Sequence, residues 1–222
     1  MKIIGHRGAR GLAPENSLAA IKAGIAAGAD EIEIDVRVTA DGVPVLCHDE
    51  FIVDPLNGLR YFIKDYDFVS LKHRKPNLAT LTEAIKVTSG VIPLLIEIKP
   101  KVNPGPIIAL LQGHLHASAK PHDFILASLN QRILREVRAV LPQLELVVNE
   151  KWSAVRGEIR ARLLHTKRLH MNARWLHGGL IIQLQRAGFQ VAPYTVNNPK
   201  KIQSWAPFLA GVITDYPDRF QK

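Results

Sequence analysis

Glu31-Ile32-Glu33-Ile34-Asp35-Val36-Arg37-Val38 alternates charged and β-branched apolar residues without a break. Successive side chains of a strand point to opposite faces, so Glu31, Glu33, Asp35 and Arg37 share one face and Ile32, Ile34, Val36 and Val38 the other. If the apolar face packs under helices, the charged face must look into water or into a site, because unpaired buried carboxylates are too costly to keep. Taken alone, the stretch reads as a surface strand with solvated charges. Three other short strands that end in ionisable residues of matching chemistry turn the reading towards a site.

On either side, short apolar strands alternate with longer helical patterns. Residues 2–7 read as a strand stopping at Gly8. Pro14-Glu15-Asn16-Ser17 starts a helix that runs to Gly28, with Asn16 or Ser17 as its cap. After the acidic strand, Thr39-Ala40-Asp41-Gly42 signals a turn and residues 43–49 another strand, a connection too short for a helix. Residues 50–80 predict loops with a short helix around 66–72, and Thr80 or Thr82 caps a helix reaching about Thr88. Further strands are expected at 92–99, 123–128, 144–148, 167–172, 190–196 and 211–215. Helices are expected near 104–116, 130–140, 152–163 and 177–187, with a short one before the last strand.

Nearly continuous apolar runs in alternating strands predict an α/β fold with a mostly parallel sheet covered by helices. Nine candidate strands compete for the eight places of a closed (β/α)8 barrel, so one is an extra element. The expected architecture is a variant TIM barrel with an irregular connection between its second and third strands. No linker or composition shift divides the chain, so residues 1–222 are read as a single barrel domain. The alternative, an open doubly wound sheet, lacks a Gly-rich fingerprint after the first strand.

Composition narrows the classes. With 222 residues, 47% hydrophobic and 22% charged, the chain suits an ordinary globular protein with a sizeable core. The single cysteine, Cys47, excludes an internal disulfide framework and fits a reducing compartment. The amino terminus runs directly into a strand, and no apolar run approaches the roughly 20 residues of a membrane span. A cytoplasmic location is expected. A net charge of +9 fits nucleic acid, an anionic membrane surface or a phosphorylated small molecule as a partner. Much of the excess lies between Arg156 and Arg174, read as a solvated basic face. Without the aromatic interleaving that single-strand binders use, nucleic acid is not the expected partner.

In a parallel barrel, function gathers at the carboxyl ends of the strands. That rule brings together His6 and Arg7, Glu33 and Asp35, His48, and Glu97 and Lys99, at the ends of four consecutive strands. Glu33, Asp35 and Glu97 are hard oxygen donors of the kind that suits one divalent ion, Mg²⁺ or Ca²⁺. Arg7 and Lys99 add positive charge suited to an anionic substrate such as a phosphate ester. His6 and His48 then supply a base and an acid near neutral pH. Each admits a plainer reading: Glu97 with Lys99 as a structural ion pair, His48-Asp49 as a strand-end turn. His114, His116 and His122 are assigned no role.

The ordered series His6-Arg7-Gly8, Pro14-Glu15-Asn16-Ser17, Glu33-Ile34-Asp35-Val36, Thr39-Ala40-Asp41-Gly42, His48-Asp49 and Glu97-Ile98-Lys99 resembles the glycerophosphodiester phosphodiesterase family. Tyr194-Thr195-Val196-Asn197 and Ile213-Thr214-Asp215-Tyr216-Pro217 extend the likeness over almost the whole chain. The resemblance, which is to the compact cytosolic bacterial branch, implies hydrolysis of glycerophosphodiesters to sn-glycerol 3-phosphate and an alcohol such as choline, ethanolamine or glycerol. It implies Glu33, Asp35 and Glu97 as metal ligands, His6 and His48 as the acid-base pair, Arg7 and Lys99 as phosphate-binding residues, and Glu15 as site-adjacent. Departures at Phe51 to Gly58, at Leu78-Ala79-Thr80-Leu81 and at Tyr194 fall where the substrate pocket is shaped. Alternatives are a phosphodiesterase directed at lysophospholipids or phosphoinositides, which would use Phe51, Ile52, Tyr61, Phe62 and Phe68 as an apolar rim, or a non-catalytic binder of phosphorylated ligands.

Overall fold

The computed structural model describes residues 1–221. Its strands are β1 (Lys2–Gly5), β2 (Glu31–Val38), β3 (Pro44–Leu46), β4 (Phe51–Val53), β5 (Arg60–Phe62), β6 (Leu94–Ile98), β7 (Phe124–Ser128), β8 (Glu145–Glu150), β9 (Arg168–Asn172), β10 (Gln190–Tyr194) and β11 (Gly211–Thr214). Eight of them follow the order β10-β9-β8-β7-β6-β2-β1-β11, all neighbours parallel. Ala210 N donates to Val191 O (2.9 Å) and Val196 N to Ile213 O (3.0 Å), which brings β11 against β10 and closes the barrel.

The ninth candidate strand, 43–49, is the extra one. Its core, β3, pairs antiparallel with the end of β2 beyond the barrel rim, Val36 opposite Leu46 and Val38 opposite Pro44. The hairpin of β4 with β5 was not foreseen; it lies in the same irregular connection. Ile52, Ile63, Leu71 and Leu78 bury themselves with Val45 and Cys47, with Tyr61 and Phe68 packed alongside, so this connection has a small core of its own.

Helices α1 (Leu18–Ala26), α2 (Phe68–Arg74), α3 (Leu81–Thr88), α4 (Gly105–Ala117), α5 (Gln131–Val140), α6 (Ala154–Leu163) and α7 (Gly178–Arg186) link the strands. Of the two caps expected for α1, Ser17 takes the place, its Oγ accepting from Ala20 N at 3.1 Å. At α3 the cap is Thr80, in a reciprocal box: Glu83 N donates to Thr80 Oγ1 and Thr80 N to Glu83 Oε2. Between β10 and β11 only the 3₁₀ turns Pro199–Ile202 and Ala206–Phe208 stand where a full barrel has a helix.

The alternation in β2 separates two cores. Ile32, Ile34 and Val36, all fully buried, face outward into the layer between barrel and helices, with Ile96, Ile98 and Leu126. Each such burial contributes roughly 1.5–3 kcal/mol. Inside the barrel, Ile4, Leu95, Ile125, Ala127, Val147, Ala192 and Ile213 form the floor on which the site rests.

Glu31, Glu33 and Asp35 are not solvated; all three are buried. Glu31 lies at the amino-terminal end of the barrel, where its oxygens accept from Arg168 Nη2 (2.7 Å) and Lys2 Nζ (2.6 Å), and Arg168 Nη1 reaches Glu145 at 3.0 Å. Glu31 is therefore a structural partner. Removing Arg168 leaves buried Glu31 with Lys2 alone, so Arg168→Ala is expected to cost about 3 kcal/mol, the low end for a broken buried pair, read from the urea midpoint. A loss below ~1 kcal/mol, the range of exposed pairs, would show that water reaches Glu31 freely.

Candidate active site

At the opposite end of the barrel the turn after β1 is the first piece of the site. Arg7 and Gly8 take left-handed φ of 51° and 88°. This curl lets Arg7 N donate to Glu33 Oε2 (2.7 Å) and Gly8 N to Glu33 O (2.8 Å). A Cβ at Gly8 would run into the backbone of Ala20, so glycine is required by both torsion and space.

Pairing of β2 with β6 sets Asp35 opposite Glu97. Oxygens of Glu33, Asp35 and Glu97 all lie within 4.8 Å of one another, a group able to hold a metal ion. Lys99 Nζ bridges two of them, 2.6 Å from Asp35 Oδ1 and 2.8 Å from Glu97 Oε1. Asn149, at the end of β8, donates to Glu97 Oε2 at 2.8 Å. Asn16 Nδ2 donates to Asp35 Oδ2, and Asp35 N to Asn16 Oδ1, both at 2.9 Å. Asn16 therefore orients a carboxylate instead of capping α1. Among the described residues, Glu33 Oε1 and Asn149 Oδ1 are buried without a hydrogen-bond partner. Orphaned acceptors beside converging carboxylates are the chemistry of a hard cation site.

Charge in this cluster is unevenly held. Burial, then repulsion from Asp35 and Glu97, raises the Glu33 pKa well above the usual carboxylate value. Burial also pushes Asp35 up, but Lys99 and Arg7 outweigh it and hold Asp35 below its usual value. For Glu97 burial prevails over Lys99 and the pKa is raised.

His6 stands just past β1, and its Nδ1 lies 2.6 Å from Asp215 Oδ1 at the end of β11. Arg10 Nε (2.7 Å) and Asn197 Nδ2 (2.7 Å) also donate to Asp215 and fix it. With Asp215 holding Nδ1, the other ring nitrogen of His6 is free for chemistry. Burial lowers the His6 pKa, and Asp215 offsets part of that shift. His48 follows β3, brought back by the antiparallel strand. Its Nδ1 lies 2.8 Å from Asp49 Oδ1, its carbonyl accepts from Arg37, and its side chain is 40% exposed. Arg7 Nη1 donates to both Glu15 oxygens at 2.9 Å, placing Glu15 on the rim.

A cleft of about 240 Å³ collects His6, Arg7, Glu33, Asp35, His48, Glu97 and Lys99, every residue expected there except Glu15, together with Asn149, Lys151, His170 and Tyr194. Glu15 lines a second hollow of about 380 Å³ that shares His48 with the first. Asp215, Asn149 and His170 carried no assignment from sequence. The first two obey the strand-end rule that found the others. His170 lies deeper, on the floor, where burial and then Arg168 push its pKa well below the usual value, so it is neutral.

Acids, imidazoles and cations thus converge at the carboxyl end of a parallel TIM-type barrel. Residues 6–219 match the model of the glycerophosphoryl diester phosphodiesterase family, and the chain belongs to that family. It is similar to glycerophosphodiester phosphodiesterases of Bacillus subtilis (28% identical over 99% of this chain and 85% of the relative) and of Caldanaerobacter subterraneus (27%, 97% and 94%). Among solved structures it is similar to an Oleispira antarctica phosphodiesterase in complex with the product sn-glycerol-3-phosphate, with TM-score 0.85 and 26% identity over 100% of this chain and 95% of that one. A glycerophosphodiester phosphodiesterase from Thermotoga maritima superposes with TM-score 0.81 and 25% identity over 99% and 97%.

Proposed function

We propose that this protein hydrolyses glycerophosphodiesters such as glycerophosphocholine or glycerophosphoethanolamine to sn-glycerol 3-phosphate and the free alcohol, using one Mg²⁺ or Ca²⁺ ion and two histidines. The observation that carries the reading is the trio Glu33, Asp35 and Glu97, with oxygens within 4.8 Å of one another in one cleft with His6 and His48. Glu33, Asp35 and Glu97 would hold the ion, and the chemistry it would supply when bound is to offset negative charge on the phosphoryl group. Arg7 and Lys99, already fixed by carboxylates, add positive charge at the same oxygens with no reorganisation during the reaction. Arg7 is held on its other side by Glu15.

His6 acts as the base, because Asp215 holds one ring nitrogen and a lowered pKa keeps the other unprotonated at neutral pH. It removes the proton from the attacking oxygen, either water or the neighbouring glycerol hydroxyl. His48 protonates the departing alkoxide. It stands between the catalytic cleft and the hollow lined by Phe51, Val53, Pro55, Lys75 and Asn77, where the alcohol has room to leave.

Glycerophosphocholine incubated with the protein and either cation is expected to release glycerol 3-phosphate, and excess chelator is expected to abolish release. Turnover that survives full chelation would remove the metal from the proposal. No turnover of any glycerophosphodiester with either cation would remove the substrate.

A further inference from the structure

Helix α6 presents an exposed face opposite in character to what a barrel helix normally shows. Such helices bury an apolar stripe and turn charge to solvent. Here Val155, Ile159 and Leu163, four residues apart and so on one face, are 68%, 54% and 56% exposed. Trp152, in the loop just before the helix, is 59% exposed and packs against Trp175, in the loop after β9, with ring centroids 6.1 Å apart. Single exposed apolar residues are ordinary, but a contiguous row ending in paired tryptophans is not.

The surface is held in place from below. Glu150, buried at the end of β8, accepts from Arg156 (2.6 and 2.9 Å) and from Arg160 (3.2 Å), and those bonds fix the start of α6. The exposed face is thus a property of the packed barrel. Its charge is one-sided. Arg156 is neutralised by Glu150 and Arg162 by Glu158, while the exposed Lys151, Lys167 and Arg174 have no carboxylate partner among the described residues. Lys151 Nζ lies 5.1 Å from the Trp152 ring and the Arg174 guanidinium 5.9 Å from the Trp175 ring. Indole rings with cations over their faces suit the boundary between water and lipid headgroups, where the ring meets the apolar side and the cation meets phosphate. A second copy of the same face would bring like charges together, which opposes self-association.

We propose that α6 with the Trp152/Trp175 pair is a docking surface for an anionic lipid bilayer. Of the basic segment 156–174, read from sequence as a solvated face, Arg160 and Arg168 are instead buried in ion pairs, and Lys167 and Arg174 are what it offers to this surface. Lys151 lines that cleft, so docking brings the catalytic end of the barrel to the membrane edge. The proposal is independent of the substrate, because binding can be read without turnover.

The test is co-sedimentation of the full chain with vesicles of phosphatidylcholine alone or of an equal mixture with phosphatidylglycerol. The expected result is partition onto the mixed vesicles only, weakened by added salt. Trp152→Ala and Trp175→Ala are each expected to lower the partition coefficient roughly tenfold, equivalent to about 1.4 kcal/mol. The pair Lys167→Glu and Arg174→Glu is expected to abolish the preference for anionic vesicles. All these side chains are exposed, and an unchanged thermal midpoint shows that the variants fold. Equal partition onto both vesicle types, no partition, or undiminished partition of the tryptophan variants overturns the proposal. So does a dimer in light scattering that Trp152→Ala disperses, with no vesicle binding, which would assign the face to a second copy.

Discussion

His6→Ala is expected to lower kcat on glycerophosphocholine by roughly 10²–10⁴-fold, the usual range for a lost proton-transfer group, with little change in the thermal midpoint. The reasoning begins at the ring. Asp215 holds Nδ1 at 2.6 Å, and Asp215 is itself fixed by Arg10 and Asn197, so the imidazole has one orientation and one nitrogen to offer. The active form of a base is neutral, so activity rises with pH through the His6 pKa. Burial sets that pKa below the ordinary 6.5, and the acid limb of kcat/KM belongs below pH 6.5.

Asp215→Asn separates orientation from bulk effects. It removes the partner that raises the His6 pKa, so the acid limb moves to still lower pH while kcat falls. A purely structural defect lowers kcat without moving the limb. His48→Ala, in contrast, should lower kcat without moving the acid limb that belongs to His6. Wild-type turnover in either alanine variant, or an acid limb unmoved by Asp215→Asn, would falsify these assignments.

The reach of the sequence follows from what a local pattern can carry. His6, Glu33, Asp35, His48, Glu97 and Lys99 were legible because each ends an apolar run, and a parallel barrel turns strand ends into one place. Glu31 has the same chemistry as Glu33 and alternates in phase with it, but two residues span roughly 6–7 Å of strand. That distance carries Glu31 to the other end of the barrel, to Arg168, and only tertiary contact records it. Asn16 or Ser17 reads as the cap of α1, because both residue types cap helices, and Ser17 is the one that does. The Asn16 side chain crosses to Asp35, a contact 19 residues away in sequence. The β4 and β5 hairpin was missed because three-residue strands are too short to show a period. Asp215 and Asn149 were within reach of the strand-end rule. They differ from the residues it found only in lying on strands far along the chain from the acidic one.

Removing the metal is expected to leave the fold intact but abolish turnover, and its signature in the protein alone should appear in stability. Among the described residues, the cluster sets Glu33, Asp35 and Glu97 against Lys99 and Arg7, one negative charge in excess if all are ionised. Glu33 is where that excess shows: its pKa in the folded state is raised well above 4.5 by burial and by its neighbours. A carboxyl raised in this way contributes stability that is present below its unfolded pKa and lost as pH rises through its folded value. The metal-free protein is therefore expected to lose stability as pH climbs above about 4.5. Mg²⁺ or Ca²⁺ competes with the same proton, so cation affinity should strengthen with pH and binding should release protons. At a free cation concentration about 100 times Kd, the gain is about 2.7 kcal/mol, or roughly 5–10 °C in Tm for a chain of this size. Glu33→Gln removes the excess charge yet keeps an acceptor for Arg7 N. Its metal-free Tm at pH 8 should rise above wild type, while its response to either cation should vanish together with activity. Calorimetry at pH 5 and pH 8, with chelator and with each cation, measures both effects. A wild-type Tm indifferent to cation at both pH values, or a Glu33→Gln variant that keeps the shift, would place the ion elsewhere or nowhere in this cleft.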